Sequence, residues 1–197
     1  MSASHRRAIQ VFFLLLLFAA ATALAQATTF MRMSLAQMSG SARMIVRARC
    51  IAAGAIWDSG EIWTRTTFEV AETWRGASGS RLIAVRLLGG TLGNISSRVS
   101  GIPRFQPGEE AVLFLEPSAN GDFSIVSWQQ GTFRIRRDPR SGEEIVTQDT
   151  ASVAAYNPVS RRFEPSGIRR MSIASFRSLV DAALAANSPA SDSSRKP

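Results

Sequence analysis

Between Met44 and Thr73 the chain alternates apolar and polar residues twice, on either side of one tight-turn signal, and this pattern narrows the fold most. In the first run Val46, Ala48 and Cys50 face one way and Arg47 and Arg49 the other. In the second, Ile62, Thr64, Thr66, Phe68 and Val70 alternate with Trp63, Arg65, Thr67 and Glu69. Asp58-Ser59-Gly60 lies between them, and Gly60 can take the positive φ that a short hairpin turn requires. A long antiparallel hairpin is expected, Met44 to Trp57 against Ile62 to Thr73.

Shorter strand signals follow. Ile83, Val85 and Leu87 alternate with Arg86, and Gly89-Gly90-Thr91-Leu92-Gly93 reads as a bulge or loop. Ala111 to Leu115 is an apolar strand closed by Pro117. Phe123 to Trp128, Thr132 to Arg136 and Glu144 to Gln148 are three more, with turns at Asn120-Gly121-Asp122 and Asp138 to Gly142. About seven short strands with turn signals between them predict a mainly β fold: a small closed or partly open antiparallel barrel, OB-like, with one face of each strand filling the interior. A short helical turn at Ser34 to Met38, stopped by Gly40, precedes it. After Gln148 the strands are expected to stop. Ser172 can cap a C-terminal helix whose Ile173, Phe176, Leu179, Val180 and Leu184 pack on the β-domain.

The start has the three parts of a secretory signal: Arg6-Arg7, an apolar run from Ile9 to Phe18, and the exit Ala23-Leu24-Ala25. Cleavage after Ala25, with Ala27 as the second site, makes Gln26 the new N-terminus. The expected organisation is a signal peptide over 1–25, a β-barrel domain over 26–150, a connecting segment over 151–170, a helix over 171–187 and a disordered tail over 188–197. The expected address is the periplasm or the medium, with no membrane span after cleavage.

Counting residues excludes several chemistries. The formal charge is +8, carried by 22 Arg and one Lys, and there is one His and one Cys. His5 leaves with the leader, so the mature chain, at +6, has no imidazole to serve as a general base. It has no Cys/His zinc site and no internal disulfide. The doublets Glu109-Glu110 and Glu143-Glu144 sit at turns, where neighbouring side chains diverge, and do not make an acid/base pair. The glycine-rich stretch at 89–93 lacks the Lys-Ser/Thr of a phosphate loop. No catalytic residue, metal site or cofactor is expected. Export and the scatter of Arg among acids argue against nucleic acid. The Arg134, Arg136 and Arg137 cluster reads as a solvated strand face that could touch an anionic envelope polymer.

From Ala42 to Leu115 the chain resembles a recurrent pattern of exported bacterial proteins without an assigned role. The matching residues are Ile45-Val46, Trp57, Trp74-Arg75-Gly76, Gly89-Gly90, Gly101-Ile102-Pro103-Arg104-Phe105 and Gly108 to Leu115, followed by Gln130-Gly131-Thr132-Phe133. More loosely, the strand order resembles the netrin-like and metalloproteinase-inhibitor domains, which are five-stranded OB barrels. Those inhibitors place an N-terminal Cys on a protease zinc, whereas Cys50 lies inside a strand here.

The expected function is that of an exported binding or interaction module without catalytic activity, monomeric, with a protein or an envelope polymer as partner. The alternative is an extracytoplasmic protease-inhibitor-like protein, and an enzyme of unrecognised type stands third. The candidate binding residues are Trp57, Trp63 and Arg65, aromatic rings beside a guanidinium on the outside of the hairpin.

Overall fold

A computed structural model describes residues 31–187 apart from 78, 119, 120, 152, 153, 158 and 166, with side chains also left out at 154, 155, 157 and 165. The expected signal peptide and tail lie outside the described residues. Two strands of equal length dominate: β1 (Met44–Asp58) and β2 (Glu61–Arg75). Ser59 and Gly60 close the hairpin between them, both with positive φ, at 52° and 85°. That two-residue turn has the twist of the flanking strands, which is why the ladder runs on from Asp58↔Glu61.

The hairpin is expected from the sequence, and its facing agrees. Val46, Ala48, Cys50, Ile62, Thr66 and Phe68 are buried, while Arg49 and Arg65 are exposed. Three register shifts interrupt the β1–β2 ladder: at Ile45/Val46 and Arg47/Ala48 the extra residue is on β2, Trp74 and Ala71, and at Cys50/Ala52 it is Ile51 of β1. Each extra residue bends the strand. Neighbouring strand residues face opposite ways, so the adjacent Ile45 and Val46 are both buried, in different cores.

β3 (Leu82–Leu88) pairs with β2. The glycine-rich stretch expected as a loop forms a small hairpin, β4 (Gly90–Leu92) with β5 (Ile95–Ser97). It lies tight on β1 and β2: a Cβ on Gly90 would stand 2.7 Å from the Thr64 hydroxyl and 3.2 Å from the Ala55 methyl. β6 (Glu110–Pro117) has β1 along one edge, β8 (Thr132–Arg137) along its first half and β7 (Phe123–Ile125) along its end. The strand expected to run from Phe123 to Trp128 is cut short. Ser127 and Trp128 take positive φ and lead into a 3-10 helix, Trp128–Gly131. β9 (Glu144–Gln148) pairs with β8, and β12 (Met171–Ser172) ends the sheet.

The segment expected to be a bare connection carries a further hairpin, β10 (Ala154–Asn157) with β11 (Arg162–Pro165). Helix α1 (Leu35–Ser41) starts with a capping box: Ser34 accepts from the Gln37 amide and Gln37 from the Ser34 amide. It runs past Gly40, where a stop was expected. Helix α2 (Ile173–Ala186) is capped by Ser172, as expected.

The OB-like barrel is corrected. The strands form one eight-stranded sheet in the order β1-β2-β3-β7-β6-β8-β9-β12, folded over so that β1 also meets β6. Its β3–β7 link is parallel and consists of one residue pair, Val85↔Phe123. Beyond β6 the sheet continues to an end at β12 rather than closing. Nor is there one interior. A first core lies inside the fold, with Phe68, Leu87, Leu113 and Phe105 among its members. A second lies on the other face of β1, β6, β8 and β9, where Val112, Phe114, Phe133 and Val146 meet Met38 of α1 and Phe176 and Val180 of α2. The run from Ala111 to Leu115 in β6 is buried on both faces for this reason.

Candidate functional site

Antiparallel partners share a face, so the register of the hairpin locates each candidate residue. Trp57 stands opposite Ile62, and Ile56 opposite Trp63. Trp57 therefore lies on the face of Ile62 and Thr64, and Trp63 and Arg65 lie on the other. The three residues do not make one surface, which corrects their grouping as a single site. The cause is parity: Trp57 and Trp63 bracket a two-residue turn and stand in adjacent cross-strand pairs, and such pairs alternate faces.

Two of the three already have partners. The Arg65 guanidinium donates to both carboxylate oxygens of Asp122, at 3.1 and 3.0 Å, which raises its own pKa. The Trp63 ring lies 4.8 Å from the buried Arg86 guanidinium, which also pairs with Asp58. Trp57 remains 58% exposed.

On the face of Trp57 a groove of about 340 Å³ runs between the hairpin and β4–β5. Ala53, Ala55 and Thr64 form its floor, and Ser96, Arg98 and Arg104 its wall. Arg104 is pinned by four bonds. It donates to the Thr64 hydroxyl and the Gly89 carbonyl, both at 2.7 Å, and to the Leu88 and Ser97 carbonyls at 3.2 and 3.4 Å. None of these acceptors carries a charge. Burial, and then the nearby Arg98, hold the Arg104 guanidinium below its ordinary range. Among the described residues neither arginine forms an ion pair, so the groove keeps two uncompensated cations. In the sequence Arg104 stands in what reads as a polar loop before Phe105. Nothing local distinguishes it from the arginines that find carboxylates.

Several other charges of the sheet are matched, although among the described residues Arg75, Arg136 and Arg137 form no ion pair, Arg75 and Arg137 donating instead to the Ser39 and Gly142 carbonyls. Arg47 meets Glu144, Glu110 and Glu72 at 2.7, 3.1 and 3.5 Å, joining β1 to β9, β6 and β2. Arg134 of the basic cluster is held by Asp149 and Glu109 over the Phe105 ring. The Glu110 carboxylate is held below its usual value of 4.5 by Arg49 and then Arg47, against the opposing effect of burial. A carboxylate depressed in the folded state stabilises above its unfolded pKa, and that stability is lost as pH falls through the folded value. Glu110→Gln is therefore expected to lower the urea midpoint at neutral pH. The gap to the parent protein should close as pH falls below the ordinary glutamate range; a gap that persists there would show that the lost carboxylate charge is not its cause.

Cys50 is a free, buried thiol, its Sγ 3.8 Å from the Ala52 carbonyl. Burial, then Glu109, pushes its pKa up, which disfavours the reactive thiolate. Among the described residues no group of three His, Cys, Asp or Glu side chains could hold a metal ion, and no helix is long and apolar enough to cross a membrane.

Neither a family model nor a curated protein matches the chain. The resemblance to a family of exported proteins is corrected accordingly, and the folded-over, two-core sheet takes the place of the OB barrel that the netrin-like and metalloproteinase-inhibitor domains implied.

Proposed function

We propose that this chain is an exported, non-catalytic module that binds an anionic polymer of the cell envelope in the groove between the β1–β2 hairpin and β4–β5. The leader at 1–25 supports export. The observation that carries the binding reading is the pair Arg98 and Arg104, two neighbouring guanidiniums without a carboxylate, in a groove lined by backbone and hydroxyl groups. Two like charges held together repel, and an anion between them relieves that repulsion as well as gaining its own attraction. Phosphate and carboxylate both suit a guanidinium. Trp57, two residues beyond Ala55 on the same face, offers a flat ring where the groove opens toward the hairpin tip.

The test uses the mature protein from Gln26 titrated with polyphosphate and, separately, polygalacturonate at low ionic strength. Arg98 is exposed and holds no element together, so Arg98→Glu is expected to leave the fold intact and to weaken binding by about tenfold or more, roughly 1.4 kcal/mol. Arg140→Glu, the same charge change in the exposed β8–β9 turn, should have little effect. Equal weakening by both substitutions would mean that net charge alone attracts the polymer, and the groove would then be withdrawn as the site. Which polymer binds more tightly separates phosphate from carboxylate as the recognised group.

A further inference from the structure

β1 has β6 along its outer edge only as far as Arg49↔Glu110, and Cys50 then closes that contact with backbone bonds to Gly108 and Glu109. From Ile51 to Trp57 its single strand partner among the described residues is β2. This free edge reads Ile-Ala-Ala-Gly-Ala-Ile-Trp, without a charge or a proline. Exposed edges are ordinarily guarded by such residues, by a bulge or by a covering loop, because their free amides and carbonyls template a further strand. Here the one bulge of the stretch is confined to its first residue, Ile51, and the ladder from Ala52 to Asp58 is regular.

The backbone polarity of that edge follows from the turn. Asp58↔Glu61 closes the two-residue turn as a hydrogen-bonded pair, so alternate residues before it, Trp57, Ala55 and Ala53, turn their N–H and C=O groups away from β2. Three large apolar side chains of β1 are exposed, Ile51, Ile56 and Trp57, and all three lie in this stretch.

We infer that the edge pairs with the same edge of a second copy, antiparallel about a two-fold axis at Gly54. In that register Ala53 meets Ala55 of the other copy with both sets of outward backbone groups aligned. Ala52 meets Ile56, and Trp57 comes level with the bulged Ile51, so each exposed large side chain gains an apolar neighbour. Gly54 meets itself at a non-hydrogen-bonded pair, where side chains come closest. A Cβ built there has nothing within 4 Å, so this position is open on its own subunit. The sequence is close to palindromic in size about Gly54, with small residues at its centre and large ones at its ends, as an isologous contact requires. The charge argument points the same way. Copies at +6 repel overall, and a neutral stretch is where they can approach. The product is a continuous sheet, β3-β2-β1 against β1-β2-β3 of the second copy, where the sequence reading expects a monomer. Seven residues a side make a small interface, so dimers are expected at micromolar rather than nanomolar concentration.

Sedimentation equilibrium of the mature protein over a range of concentrations tests this, with Gly54→Lys as the variant. The substitution sets two ammonium groups on the axis, on the face opposite the groove. It is expected to abolish the dimer with an unchanged melting temperature, whereas Arg98→Glu should leave the dimer intact. Gly54→Cys provides a second readout that does not depend on the lysine variant: mild oxidation should join two chains through the introduced thiols in one discrete species, while Cys50 stays buried. A parent protein that stays monomeric at every concentration overturns the inference. So does a dimer that survives Gly54→Lys, or a failure of the cysteine variant to cross-link. An edge that captures an extended peptide while the protein stays monomeric also overturns it, by naming a different occupant.

Discussion

Replacing Phe68 with alanine is expected to cost about 3–5 kcal/mol of folding stability, read as a fall in the urea midpoint. The ring is fully buried in the core inside the folded sheet. It meets Phe105 edge-on at 4.9 Å and stands between Cys50 of β1 and Ile83 of β3. Three strands and a loop would have to shift together to fill its place, so most of the cavity should remain. Trp63, five residues earlier on the other face, is the control. Its ring is half-buried under Arg86, so Trp63→Ala should cost clearly less. An equal loss for the two variants would mean that the outward face of β2 is a core face.

Phe176→Ala is expected to cost a similar amount, about 3–5 kcal/mol, from the second core. Phe176 is buried between Phe133 of β8 and Trp74 of β2, with ring centroids at 4.6 and 5.9 Å. It is the point at which α2 is fastened to the sheet, together with Val180 one turn on. Leu179→Ala should change stability by less than about 1 kcal/mol, because Leu179 is 43% exposed. Were Leu179→Ala as damaging as Phe176→Ala, α2 would be rotated from the orientation described.

That second pair also shows how far the helix was legible. Helical spacing assigns Ile173, Phe176, Leu179, Val180 and Leu184 to one broad stripe. The sheet surface that receives it is narrower than the stripe, so Phe176 and Val180 are buried, Ile173 and Leu184 pack at the margin and Leu179 stays outside. Periodicity gives the direction of a helix face, and only the receiving surface sets its width.

The binding face was legible in its parts and not in its grouping. That Trp63 and Arg65 point away from the core follows from the parity of β2 alone. Trp57 lies across the turn, and its face depends on the register that the turn selects. Arg98 and Arg104 were missed because a cation is uncompensated only relative to its whole surroundings. Arg104 gathers carbonyls from the end of β3, from Gly89 between β3 and β4, and from the end of β5, a neighbourhood that exists once β4–β5 has folded onto the hairpin.

By itself the sequence determined the local structure: the long hairpin and its turn, the inward and outward faces of β2, and the capped starts of both helices. These depend on neighbours a few residues apart, through alternation, positive φ at Ser59-Gly60 and the side-chain caps of Ser34 and Ser172. Tertiary structure decided whether the strands enclosed one interior or lay between two cores. An apolar run such as Ala111 to Leu115 is compatible with either, because alternation disappears when both faces are covered. β1 parts from β6 after Arg49 and carries its one bulge at Ile51, so that its small, neutral residues lie at an edge with no second strand partner among the described residues. Which edge stays unpaired is set by where two distant strands part, and no residue in the edge itself records it.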